Sequence, residues 1–469
     1  MDDSSIRVNY SPGRLPEFWD RSVVFFANLL ALFYGNEGAT KELAQCVGGV
    51  ETYGGRLCPL INLLFTGSKN LLVLESEPDE PLLDYFSKEL GLQLPEVVVL
   101  SHRRYQDLAC TLASQVEPPK PTQADSGFST PDDRSVARIA DHPADWIDGF
   151  VTDEVLTRAA ELLGKRTIIG PEASRHGNNK LLLHQFLETH GFPVFDTVLI
   201  ESAQEFPRAA ESLRRQGYRQ IVAKAQVGAS GVGMHKFDAD APAIDELGEP
   251  MFYEGAVLVQ GWLDDSCDGV QPVGSPSMQL FLDKTTVNIY DVTEQILSED
   301  SVHEGNSSPP PFWHTRPKIE LHMREQTIAV GRWLHENGYR GTASVDFLVV
   351  ERKGQIEVFV CEVNARVTGA TYPSVLARHF CPHGHWLMRN LRIEVPISSG
   401  ELMSNLRTKD HLLNCGGDQG VLPVNFNLNS EGLVTKGQFL CMGPDEHTCL
   451  EYLMAAADVL PVKWTYDRD

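Results

Sequence analysis

Apolar residues recur along this 469-residue chain with two different periods, and the switches between them mark its elements. Short strand-like runs at 70–74 (NLLVL) and 97–100 (VVVL) alternate with helical stretches up to about residue 110, which predicts an α/β layer. The run VVFFANLLALFY, 23–34, is apolar on every side and predicts a buried helix, too short to span a bilayer. GGVETYGG, 48–55, follows no clear strand and reads as a turn. Pro, Ser and Asp crowd residues 113–135, the composition of a flexible linker.

Beyond the linker, a helix is predicted at about 152–163 and a strand at 166–169. Next comes NNKLLLHQFLETHG, a helix that Asn178 or Asn179 can cap and Gly191 stops. Residues 194–263 read as strand, helix, strand, glycine-rich turn, strand and strand. A helix over 319–337 precedes two strands, 342–350 and 356–364, which ERKGQ joins as a hairpin. From about 396 the tail shows strand signals at VLPVNFNL and KGQFLCM, then a helix near 445–459.

Charge narrows the partners. A net charge of −24 argues against nucleic acid, whose phosphate backbone needs a basic surface, but leaves room for a small phosphate ligand. The nine cysteines are scattered, odd in number and without a Cys-x-x-Cys pair. That pattern points to reduced thiols in a cytoplasmic setting and away from a zinc site. No signal peptide or membrane span is expected.

The densest chemistry lies in CEVNARVTGATYP, 361–373. Side chains alternate along a strand, so Glu362, Asn364 and Arg366 share a face. Plain alternation adds Val358 and Val360 to that face and puts Phe359, Cys361, Val363 and Ala365 on the other. Folding the hairpin about Lys353–Gly354 sets Asp346 opposite Val360 or Cys361, with Glu362 a near or diagonal neighbour. Asp346, Glu362 and Asn364 are hard oxygen donors that suit Mg²⁺.

QIVAKAQVGASGVGMHKF, 220–237, reads as a strand ending near Lys224, then a break at Gly228, Gly231 and Gly233 around Ser230. The G-x-x-G-x-G spacing and the absence of a following helix argue against a Rossmann or Walker loop and for a hairpin lid over phosphates. Lys180 opens a helix whose first turn would prefer acids, and its alternatives are water or a ligand. In AVLVQGWLDDSCDG, 256–269, a strand edge at Gln260, Gly261, Trp262 and Leu263 could meet a purine, and Asp264, Asp265 or Asp268 a ribose hydroxyl. Residues 287–312 run from a strand into a long polar loop, where Gln295, His303 and Asn306 are candidates for substrate contact.

Taken in order, Lys180, Lys224 with its glycine loop, LVQGWL, Asp346 and the E-x-N-x-R strand resemble the ATP-grasp superfamily over about 166–395. More narrowly, EVNARVTGATYPS and GVLPVNFNL…GLVTKGQFLCMG resemble the amide-forming peptide ligases of the pheganomycin type. The resemblance implies a chain of α/β and α+β character. A pre-ATP-grasp α/β domain would span 1–165, an ATP-grasp core 166–395 with a small lid lobe at about 194–263, and a small C-terminal α+β domain 396–469. It implies that Lys180 and Lys224 contact ATP phosphates, with Gly228, Ser230, Gly231 and Gly233 over them. Gln260, Gly261, Trp262, Leu263, Asp265 and Asp268 would serve the base and ribose. Asp346, Glu362 and Asn364 would hold Mg²⁺, expected as two ions, with Mn²⁺ as an alternative. Arg366, with Lys224, would act on the reacting groups. Gln260 departs from the pattern, because many members carry an acid there.

The activity implied is ATP-dependent amide formation between a small carboxylic acid or amino acid and an amino-acid amine, through an acyl phosphate. Small-molecule or natural-product biosynthesis is the expected setting, and homodimers occur among such enzymes. The rival readings are an ATP-grasp kinase, a carboxylating enzyme, and a nucleotide-binding module without turnover.

Overall fold

ERKGQ closes the predicted hairpin, and the strands it joins are longer than their apolar cores, Gly341–Arg352 and Gln355–Asn364. The computed structural model describes residues 6–46, 49–116, 131–297, 303–408 and 411–462. The chain forms two compact units, each assembled from separated segments. The first comprises Met1–Pro12, Phe33–Cys46 and Glu172–Ala370; the second comprises Gly13–Leu32, Val47–Pro171 and Thr371–Asp469.

The strands of the first unit are β1 Arg7–Tyr10, β2 Thr197–Ile200, β3 Gln220–Ala229, β4 Val232–Asp238, β5 Val257–Gly261, β6 Val270–Gly274, β7 Pro276–Leu282, β8 Thr286–Leu297, β9 His303–Ser308, β10 Gly341–Arg352 and β11 Gln355–Asn364. Two sheets result. An antiparallel sheet has the order β2-β5-β3-β4. Helix Phe206–Arg215 covers it, burying Phe206, Ala209, Ala210 and Leu213 against Ile221, Ala223, Ala225, Val257 and Val259. In the second sheet, β10 pairs with β11 on one side and with β6 and β7 on the other. β7 continues to β8 and β9, and β1 joins β8 in parallel. Two helices frame the chemistry, α1 Lys180–Thr189 and α2 Pro317–Glu336. Asn179 caps α1 by accepting from Leu182 N at 3.0 Å. α2 packs on the sheet, where Gln326 donates to the Val358 carbonyl at 3.0 Å.

The second unit contains a five-stranded parallel sheet in the order Glu96–Val99, Leu71–Leu74, Val23–Phe26, Trp146–Gly149, Arg166–Thr167. Its C-terminal segment adds an antiparallel set, His385–Ile397, Val434–Gly443 and Gly420–Leu428, with helix Glu446–Val459.

Three expectations are corrected here. The 23–34 run is a central strand, Val23–Phe26, followed by the 3₁₀ turn Leu29–Phe33. A strand buried on both faces is apolar at every position, so periodicity cannot separate it from a buried helix. The 287–312 segment is a hairpin of β8 and β9 rather than a strand and a loop; its joint, 298–302, lies outside the described residues. Helices Leu108–Val116 and Pro131–Asp141 occupy both ends of the expected 113–135 linker, and 117–130 lies outside the described residues.

Candidate functional site

The acid–amide–guanidinium stretch sits on β11 beside a β-bulge. Asp346 faces Glu362 directly, while the next pair is Phe347 with Val360, so Cys361 is an extra residue on β11. The bulge overturns plain alternation. Phe359 pairs with Leu348 and packs with Val350 in the lid-side core, on the same face as Asp346 and Glu362. Phe359 and Cys361 therefore belong to the site face, and Val358 to the other. The pairing expected opposite Val360 or Cys361 moves by one residue for the same reason.

On this face Asn364 Nδ2 donates to Asp346 Oδ2 at 2.8 Å and to Glu362 Oε1 at 3.1 Å. Ser277 Oγ donates to Asp346 Oδ1 at 2.5 Å. Burial, and then the Glu362 charge, push the Asp346 carboxyl above its ordinary value. Burial would also raise Glu362, but Lys180, then Arg366 and the Asn364 amide, outweigh it and hold its carboxyl well below the usual range. A half-turn of the Asn364 amide would add its oxygen to the two carboxylates, giving three oxygen donors. That set fits Mg²⁺ or Mn²⁺. Among the described residues there is no cluster of three or more His, Cys, Asp or Glu side chains that could hold a metal.

Two lysines close on the acids. Lys180 Nζ lies 3.0 Å from Glu362 Oε2 and 3.4 Å from the Gly228 carbonyl. Lys224 is buried mid-strand, not at a strand end, because β3 continues to Ala229. Burial lowers its pKa, and its Nζ sits 5.4 Å from the centre of the Phe195 ring. The hairpin turns at Ser230 and Gly231, both with positive φ and both exposed. Gly233 is buried behind them. At Gly228 a Cβ would lie 2.6 Å from the Val232 carbonyl, so only glycine lets the backbone pass beside Lys180.

Lys180 and Lys224 line a pocket together with Leu183, His184, Leu187, Val194, Phe195, Leu258, Gln260, Val360 and Cys361. Lys180 and Lys224 are charged and Leu183, Leu187, Val194, Phe195, Leu258 and Val360 are apolar. Gln260 lines the pocket too, bonded through Nε2 to Thr197 Oγ1 at 3.0 Å.

The rest of the predicted purine linker differs. β5 is an inner strand rather than an edge, and its backbone is engaged: Gly261 N donates to the Asp196 carbonyl and Trp262 N to the Gln220 carbonyl. Leu263 is buried in the lid-side core. Asp264 is tied up by Ser266 and by Lys236 at 3.6 Å. Asp265 is exposed, and Asp268 is exposed beside Arg219 at 3.6 Å. None of the three aspartates lines the cavity. Gln295 pairs with Asn306, and the His303 ring bonds Asn306 Oδ1 at 2.7 Å. By strand register this group spans β8 and β9, with β7 between Gln295 and Asp346 on β10.

Sequence reasoning missed Asn178 in its actual role. Its Oδ1 accepts from Arg366, while its Nδ2 donates to the Ser174 carbonyl at 2.8 Å. Gln226 was missed too. It accepts from the Asn179 amide at 2.8 Å and donates to the Glu254 and Ala256 carbonyls at 3.1 Å, tying the glycine hairpin to α1. A polar residue in an otherwise apolar run was the available signal for Gln226; Asn178, within RHGNNK, carried none.

No family model matches the chain. A curated relative, the "[Butirosin acyl-carrier protein]--L-glutamate ligase" of Niallia circulans, is 24% identical over 314 residues, 66% of this chain. The match spans 64% of that relative, less than two thirds of its length. Among solved structures, N5-carboxyaminoimidazole synthetase from Staphylococcus aureus with ADP aligns with 95% of this chain and 100% of its own, at 12% identity and a TM-score of 0.51. A biotin carboxylase–ATP complex from Campylobacter jejuni aligns with 95% of this chain and 92% of its own, at 14% identity and a TM-score of 0.55.

Proposed function

We propose that this chain, which has the ATP-grasp fold, is an ADP-forming carboxylate–amine ligase. One observation carries the reading. Asp346, Glu362 and Asn364 converge on one sheet face with Lys180 bonded to the same cluster, and Lys180 also lines the pocket that Lys224 and Gln260 share. A ligase of L-glutamate among its relatives supports the choice of an amine acceptor.

The reaction has two steps. A carboxylate oxygen attacks the γ-phosphorus of ATP, the bond to the bridging oxygen breaks, and ADP leaves. An amine then attacks the acyl carbon, expels phosphate and loses a proton, which leaves an amide. Phosphoryl transfer needs positioning and charge neutralisation rather than an enzymatic nucleophile. Lys180 and Lys224 supply positive charge at the phosphates. Mg²⁺ held by Asp346, Glu362 and Asn364 supplies the rest when bound. Arg366 follows the end of β11 by two residues, and its planar guanidinium suits a carboxylate or acyl phosphate. The Gly228–Gly233 hairpin excludes water that would hydrolyse an activated acyl group. A small carboxylic acid or amino acid and an amino-acid amine are the proposed substrates, in small-molecule biosynthesis.

The test is a panel of acid–amine pairs with ATP, read by ADP release and product mass. ADP release that needs both partners, with an amide of matching mass, supports the proposal. A stable phosphate ester would mean a kinase, a carboxylated product a carboxylase, and tight ATP binding without ADP a module lacking turnover.

A further inference from the structure

We infer that Thr197 determines nucleotide-base specificity, because it fixes which end of the Gln260 side-chain amide faces the cavity. This rests on the reading of the cavity as a nucleotide site. Thr197 and Gln260 are direct cross-strand partners on β2 and β5. A threonine hydroxyl has one hydrogen, and Thr197 donates it to the Phe195 carbonyl at 2.8 Å. Only its lone pairs remain for Gln260, so the amide nitrogen must turn toward Thr197, as the 3.0 Å bond shows. Swapping the amide ends would set oxygen against oxygen unless Thr197 gave up its bond to the Phe195 carbonyl. The Gln260 carbonyl is thereby left as the amide group free to face the cavity. Among the described residues nothing donates to it, and Gln260 is only 5% exposed.

The chemistry of a matching base follows. The walls around Gln260 include Leu183, Leu187, Phe195 and Leu258 and suit an aromatic ring. A fixed acceptor among them favours a base that presents an amino group and disfavours one that presents a carbonyl at the same edge. Adenine has the amino group there and guanine the carbonyl. Sites built around one hydrogen-bond polarity reject the opposite one because the buried group is left unpaired. A glutamate at position 260 would present an acceptor in either orientation and would not need Thr197. The glutamine does.

The experiment measures equilibrium binding of ATP and of GTP to the full chain by calorimetry at constant Mg²⁺. Wild type is compared with Thr197→Val, Thr197→Ser, Gln260→Glu and the Thr197→Val/Gln260→Glu double variant. Wild type is expected to prefer ATP. Thr197→Val frees the amide to rotate and lowers the ATP:GTP affinity ratio about tenfold. Thr197→Ser keeps the hydroxyl and the ratio. In the Gln260→Glu background, Thr197→Val leaves the ratio unchanged. An unaltered ratio in folded Thr197→Val, or an equal fall in the glutamate background, overturns the inference while the nucleotide site stands. Absence of ATP binding by wild type overturns both.

Discussion

At the scale of single residues, Asn178 holds Arg366 with a neutral oxygen, so the guanidinium charge is not cancelled by its holder. Asn178→Asp would keep the hydrogen bond and add a countercharge. Melting temperature should hold or rise slightly, while the KM for the acid substrate rises on the order of tenfold; thermal melts and steady-state kinetics on one preparation separate the two effects. Glu362→Ala removes an oxygen donor and the partner of Lys180, and ADP production should fall on the order of a hundredfold with circular dichroism unchanged. A pH effect belongs to Glu75, raised to about 7 by burial and then by Glu51. Between its ordinary value and about 7 the folded state holds a proton that the unfolded chain has released. This contribution is complete at low pH and is lost as pH rises toward 7 and above. Urea midpoints should decline less steeply across that window in Glu75→Gln than in wild type.

At the scale of elements, the β11 bulge decides which side chains meet the acids. One extra residue, Cys361, lets Phe359 stack on Phe195 at 4.9 Å while Glu362 still faces Asp346. The stacked rings and the acid pair thus meet on one strand face, which strict alternation would have split. β5 shows a second constraint, a close approach. A Cβ at Gly261 would lie 2.4 Å from the Tyr218 ring, which is itself held by Asp196 at 2.6 Å. Gly261→Ala should cost about 1–3 kcal/mol, seen as an earlier denaturant midpoint, because a packed aromatic ring must move. Element types were legible wherever the hydrophobic period was strong, as in α1, α2 and the β10–β11 hairpin. They failed at 23–34, where a fully buried strand has no polar face to reveal its period.

At the scale of the whole molecule, the proposed ligands all come from the first unit, yet from residues as far apart as Lys180 and Arg366. A ligand that binds only the folded site stabilises it by mass action, so MgATP at a hundred times its Kd should add about 2.7 kcal/mol. Asp346→Asn should abolish most of that gain, read as the shift in denaturant midpoint with and without nucleotide. Among the described residues no helix is long and apolar enough to cross a membrane. Most of the order of strands and helices was written locally, because side-chain period and turn residues act over a few positions. So were the donor types in E-x-N-x-R and the two lysines. Tertiary structure alone decided the rest. The bulge set the register of Asp346 against Glu362, packing made β5 an inner strand, and Asn178 met Arg366 across 188 positions of chain. Such contacts depend on how distant backbones pair and pack, and no local pattern of polarity records that.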